Sequence, residues 1–149
     1  MKKTLLFSLF AILLSCKDSE ICSPPPPTFS MWVNKNSEVH KEFINKRGNI
    51  DTTHIALYKQ IGSAKKEYPI GFHYDTDPRG NTYLHIGTQL WFENDVYTGK
   101  TETLYLQNAT KTYKLEVNGY MKDTKCGRVS ITNEIRVDGV KVENHYLTK

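Results

Sequence analysis

Apolar and polar side chains alternate along most of the chain from Thr28 onward. The alternation is clearest over residues 29–34, 55–61 and 113–118. A period of two places every second side chain on one face of an extended strand, so it indicates antiparallel strands that are buried on one face only. One stretch, Glu38–Asn45, has helical character, but it is short, and we expect a loop or a further strand there.

Two turn signals predict a pairing register at hairpins. Asp138-Gly139 favours a two-residue type I′ turn, which pairs Val137 with Val140 and Ile135 with Val142 on one face. Asn118-Gly119 carries the same turn signal, although its flanking residues pair less well.

The segment 77–81, with a proline and a glycine, predicts another hairpin turn. If Thr76 pairs with Thr82, His73 lies opposite His85 on a polar face that also carries Asp75. Directly opposed residues have Cβ atoms about 4.5–5.5 Å apart, which is close enough for two imidazoles to share a metal ion. We favour two solvent-exposed histidines over a zinc site and predict no metal centre.

The many short strands and the turn signals between them predict an all-β fold. We expect an antiparallel Ig-like β-sandwich of about seven to nine strands over residues 28–149. A lipocalin-like up-and-down β-barrel is the alternative.

Several aromatic residues are out of phase with the apolar alternation of their strands: Trp32, Tyr58, Tyr83, Trp91 and Tyr105. Aromatic side chains on the outer face of a sandwich favour a surface that stacks on sugar rings or contacts a protein. The alternative is that they pack under loops. We predict that the ligand-binding residues are Trp91, Tyr83, His73 and His85.

Motifs typical of enzymes are missing from the sequence. It contains no G-x-S-x-G nucleophile elbow, no H-E-x-x-H metal motif and no phosphate-binding glycine loop, so we predict no catalytic residues and no cofactor. Asp and Glu are plentiful, but no pair of carboxylates can be placed across a cleft.

The N-terminus combines Lys2 and Lys3 with an apolar run from Thr4 to Leu14, followed by Ser15 and Cys16. An apolar run of this length is too short for a spanning helix, which needs about 20 residues. The segment resembles a bacterial lipoprotein signal peptide with its lipobox. The resemblance implies that residues 1–15 are cleaved and that Cys16 carries lipid on its thiol and its amine.

The residues after Cys16 predict a tether over 16–27. Lys17–Glu20 resembles the surface-export signal of Bacteroidetes-type lipoproteins, and Pro24–Pro27 favours a stiff polyproline II spacer. The wider layout looks like the small β-sandwich lipoproteins of unassigned function from that bacterial group. The resemblance implies an outer-membrane location, facing the periplasm or the cell surface.

Cleavage of the signal would leave Cys22 and Cys126 as an even pair. In an oxidising compartment we favour a disulfide between them, with a two-thiol metal site or two free thiols as alternatives. The sequence has 20 basic and 16 acidic residues, and cleavage would remove Lys2 and Lys3, which leaves a formal charge of +2. So small and dispersed a charge argues against nucleic acid as a partner.

These features predict a non-catalytic, lipid-anchored binding module. Its expected partners are the membrane, through the anchor, and either a glycan or another envelope protein. The alternative is a structural or assembly lipoprotein of the outer membrane without a small-molecule ligand.

Overall fold

The computed structural model describes Cys22, residues 24–91 and residues 94–147. Its elements are β1 (Thr28–Asn34), α1 (Glu38–Lys41), β2 (Ala56–Ile61), β3 (Ala64–Tyr68), β4 (Gly71–Thr76), β5 (Thr82–Gln89), β6 (Thr98–Gln107), β7 (Thr112–Thr124), β8 (Gly127–Val137) and β9 (Val140–Val142). The predicted all-β class and the strand number are confirmed. In the described part of the chain, no helix has the length and apolar character needed to cross a membrane.

The strands form two antiparallel sheets with one apolar core. The small sheet has the order β1-β5-β4, and the large sheet has the order β3-β2-β6-β7-β8-β9. The core combines inward side chains of both sheets, such as Met31 and Leu84 from the small sheet and Leu104, Leu115 and Val117 from the large one. Buried and accessible residues alternate along β1 and along residues 112–120 of β7, which reflects sheets with one buried face.

Two predicted registers are confirmed. Val137 pairs with Val140 and Ile135 with Val142 around the turn at Asp138-Gly139. In the second hairpin, Thr76 pairs with Thr82, and His73 lies opposite His85.

The hairpin turn considered at Asn118-Gly119 is wrong. Both residues lie inside β7, where the register with β8 shifts between them. A Cβ at Gly119 would lie 2.6 Å from the Ile131 carbonyl oxygen and 2.7 Å from Cδ1 of Tyr97. The glycine therefore permits close packing at a bulge within a long strand.

The expectation of a loop or strand over Glu38–Asn45 is also wrong in part, because residues 38–41 form the single helical turn α1. Ser37 caps this turn, and its Oγ accepts a hydrogen bond from the His40 backbone N–H at 3.2 Å. Val39 and Phe43 are buried in the core, so one side of this segment closes the sandwich.

Both ends of the described chain attach to the sandwich. The sulfur atoms of Cys22 and Cys126 lie 2.07 Å apart, at disulfide bonding distance, and the Pro27 carbonyl accepts a hydrogen bond from Leu90 N–H. Near the C-terminus, the backbone of Trp32 donates to His145 O and accepts from Leu147 N. Residues 1–21, which include the predicted signal peptide and Cys16, lie outside the described residues.

Candidate functional site

Three aromatic rings form a row across the outer face of the small sheet. The register places Trp32 opposite His85 and His85 opposite His73. The Trp32 and His85 ring centroids are 4.5 Å apart, and those of His85 and His73 are 4.3 Å apart. We call Trp32, His85 and His73 the aromatic row.

The aromatic row is bordered by an imidazole–carboxylate contact and a second aromatic pair. Nε2 of His73 lies 2.9 Å from Oδ2 of Asp75, and both side chains are about half exposed. Two residues from His85 along β5, Tyr83 packs against Tyr146, with ring centroids 5.0 Å apart. Polar and aromatic side chains therefore cover the outer face of the small sheet between the Tyr83–Tyr146 pair and the aromatic row.

Beyond the aromatic row, the sheet has a strip without bulky side chains. Gly87 and Gly71 are directly paired there. A Cβ at Gly87 would lie 2.6 Å from Cε1 of His85, so the His85 ring occupies the space that a side chain at position 87 would need. A Cβ at Gly71 would have no atom within 4 Å, which leaves that side of the strip open.

The strip is the floor of a groove of about 670 Å³. His73 and His85 line one part of it, and Trp91 lines another. Trp91 is 63% exposed, and its indole N–H donates to the Gln89 side-chain carbonyl. The groove thus combines an accessible indole with two imidazoles.

Burial lowers the pKa of His85 below the ordinary imidazole value, and the charge of His73 adds to this effect. Its Nδ1 atom is buried and has no hydrogen-bond partner. These surroundings therefore favour the neutral form of the His85 imidazole over the charged form.

A half-buried network of charged groups supports the wall of the groove beside β3. Lys66 Nζ and Tyr68 Oη each lie 2.8 Å from a carboxylate oxygen of Asp95, and Lys59 donates to the Asp95 backbone carbonyl at 2.9 Å. Burial would raise the pKa of Asp95, but the hydrogen bonds from Lys66 and Tyr68 outweigh it and hold the pKa below its ordinary range. This network fixes Asp95, which precedes β6, against the large sheet.

The four residues singled out from the sequence all lie in this region, but they are divided between two cavities. Trp91, His73 and His85 line the groove, whereas Tyr83 lines a neighbouring cavity of about 460 Å³ together with Tyr146. Tyr146 was missed because it follows the last strand, where no alternation indicates its position.

Two other out-of-phase aromatics belong elsewhere. Tyr58 and Tyr105 stack on each other on the large sheet, with ring centroids 5.3 Å apart, and Tyr58 is buried. They therefore contribute nothing to the groove.

The groove offers surfaces for binding. An exposed indole presents a flat apolar face, and the imidazoles present polar ring edges. Across the described ranges, no group of three or more His, Cys, Asp or Glu side chains is placed to hold a metal ion.

No protein-family model matches the chain, and neither the curated proteins nor the solved structures contain a match.

Proposed function

We propose that the protein is a lipid-anchored, non-catalytic lipoprotein of the bacterial envelope that binds a glycan in the groove of its small sheet. The observation that carries this proposal is the joint presence of Trp91, His73 and His85 around one open groove. The same residues form the aromatic and hydrogen-bonding surfaces that a sugar requires.

The shape and chemistry of the groove support a ligand of this class. Binding sites for small ligands have volumes of about 300–1,000 Å³ and combine mostly apolar walls with a few polar groups. A pyranose has an apolar C–H face and a rim of hydroxyl groups. The indole of Trp91 can stack on the apolar face, and the half-exposed imidazole of His73 can hydrogen-bond to the hydroxyls.

The lipid anchor is supported by the sequence from Lys2 to Cys16. Attached acyl chains contribute about 0.8 kcal/mol for each buried CH₂ group, and more than one chain gives stable membrane attachment. Substitution of Cys16 by alanine should move the protein from the membrane fraction to the soluble fraction. Undiminished membrane association of Cys16→Ala would contradict the anchor.

Glycan binding can be tested with an array of bacterial and host glycans, followed by calorimetric titration of the best-binding glycan. Trp91→Ala should weaken binding about 3- to 10-fold or more, because it removes the stacking surface. Tyr120→Ala is the matched control, since Tyr120 is also an exposed aromatic residue (40%) but lies on β7. Equal affinities of Trp91→Ala and the native protein would overturn the assignment of the groove.

A further inference from the structure

The two sheets have four edges, and three of them are protected against pairing with another strand. β3 carries Lys65, Lys66 and Glu67 within five residues, and β9 has only three residues. The edge of β1 is occupied by the C-terminal segment, which exchanges backbone hydrogen bonds with Trp32. Charged residues, short strands and covering segments are the usual ways of blocking an edge.

The fourth edge, that of β4, is less protected, since Asp75 is its only carboxylate and lies 2.9 Å from His73. β4 contains neither lysine nor proline, and five of its six residues are exposed. In the described part of the chain, β5 is its only strand neighbour. An accessible edge of this length is a template for pairing with another strand.

We propose that β4 pairs antiparallel with β4 of a second copy of this chain, forming a twofold symmetric dimer with a continuous six-stranded sheet. This inference does not depend on glycan binding. Antiparallel pairing of a strand with its own copy is self-complementary, as a twofold interface requires.

The register follows from the side chains of β4. The outer faces of both copies lie on the same side of the sheet only if each odd-numbered residue is opposed by an odd-numbered one and each even-numbered residue by an even-numbered one. With Tyr74 opposite Tyr74 of the second copy, His73 lies opposite Asp75, and this contact occurs twice. The neighbouring registers place His73 opposite His73, or Asp75 opposite Asp75. Neither forms the imidazole–carboxylate contact, and two carboxylates in direct opposition are unfavourable.

Within one chain, His73 and Asp75 already make the imidazole–carboxylate contact that the dimer would repeat between copies. His73 Nε2 and Asp75 Oδ2 are 2.9 Å apart along β4, and both side chains are accessible at the outer face. The symmetric contact would join two such pairs into one network of four groups. On the opposite face, Tyr74 is 40% exposed while its hydroxyl lies 3.0 Å from Nε2 of His40, so part of the ring is free to pack on its symmetry mate.

Charge exchange tests the register. Asp75→Lys places an ammonium group opposite His73, and His73→Glu places two carboxylates in opposition, so each should weaken the dimer about tenfold in sedimentation equilibrium of the purified protein. The double variant His73→Glu/Asp75→Lys restores opposite charges and should return the affinity to near its native value. Asp123→Lys, at an 85% exposed side chain on β7, is the charge-matched control and should have no effect.

A crosslinking experiment tests the same contact independently of charge. Opposed Cβ atoms across the twofold axis would lie about 4.5–5.5 Å apart. A short bismaleimide should therefore link Tyr74→Cys into covalent dimers, but leave Tyr120→Cys monomeric. A monomer at all concentrations, a double variant no tighter than the single ones, or absence of the Tyr74→Cys crosslink would overturn the proposal.

Discussion

Removal of the Cys22–Cys126 link should cause a large loss of stability. The two cysteines are separated by 104 positions, so the bond closes a loop that contains β1 to β7. The chain-entropy relation gives about 4.7 kcal/mol for a loop of about 100 residues at 25 °C. Since domains of this size are stable by about 5–15 kcal/mol, a third or more of the free energy of unfolding depends on this one bond.

The double variant Cys22→Ser/Cys126→Ser should therefore unfold at a much lower urea concentration than the native protein. We expect the free energy of unfolding to fall by about 4–5 kcal/mol and Tm to fall by roughly 10–20 °C. Cys16→Ala is the control, because it removes a cysteine while leaving the linked pair intact. A loss below about 1 kcal/mol would show that the bond does not constrain the unfolded chain in this way.

Two further predictions concern close packing and pH. Gly119→Ala should lower the free energy of unfolding by about 1–3 kcal/mol in chemical denaturation, because the new methyl group meets the Ile131 carbonyl and the Tyr97 ring. Gly71→Ala should lower it much less, since a Cβ there meets no atom within 4 Å. Equal losses of stability in the two variants would refute this reasoning. Because the pKa of His85 is lowered in the folded state, the unfolded chain binds the proton more readily, so stability should fall as pH decreases through about 6.5. His85→Gln should show a shallower fall in thermal unfolding between about pH 7 and 5, and an unchanged slope would contradict it.

Local chemistry predicted the parts of the fold that depend on neighbouring residues. The turn at Asp138-Gly139 requires positive φ, and Asp138 and Gly139 adopt φ of 50° and 84°. The turn over 77–81 likewise determined that His73 and His85 are opposed. In both hairpins, a single register places the aliphatic side chains on one face, so pattern and turn agree.

Contacts between distant segments could not be predicted in the same way. Asn118-Gly119 has the local sequence of a turn, but packing against Tyr97 and β8 keeps it within a strand. Tyr146 reaches the outer face of the small sheet only because the segment after β9 returns to pair with Trp32. The floor of the groove also forms only where β4 and β5 pair Gly71 with Gly87. Neither glycine by itself indicates a groove in the sequence.

The most direct test of the proposed function is to map the bound glycan by nuclear magnetic resonance. The best-binding array glycan is titrated into isotope-labelled protein, and amide and indole shifts are followed. Glycan binding in the groove predicts saturable changes at Gly71, Gly87, His85 and the Trp91 indole, with none at Tyr105 on the large sheet. Changes confined to the large sheet, or no saturable change at the Trp91 indole, would contradict the proposed function.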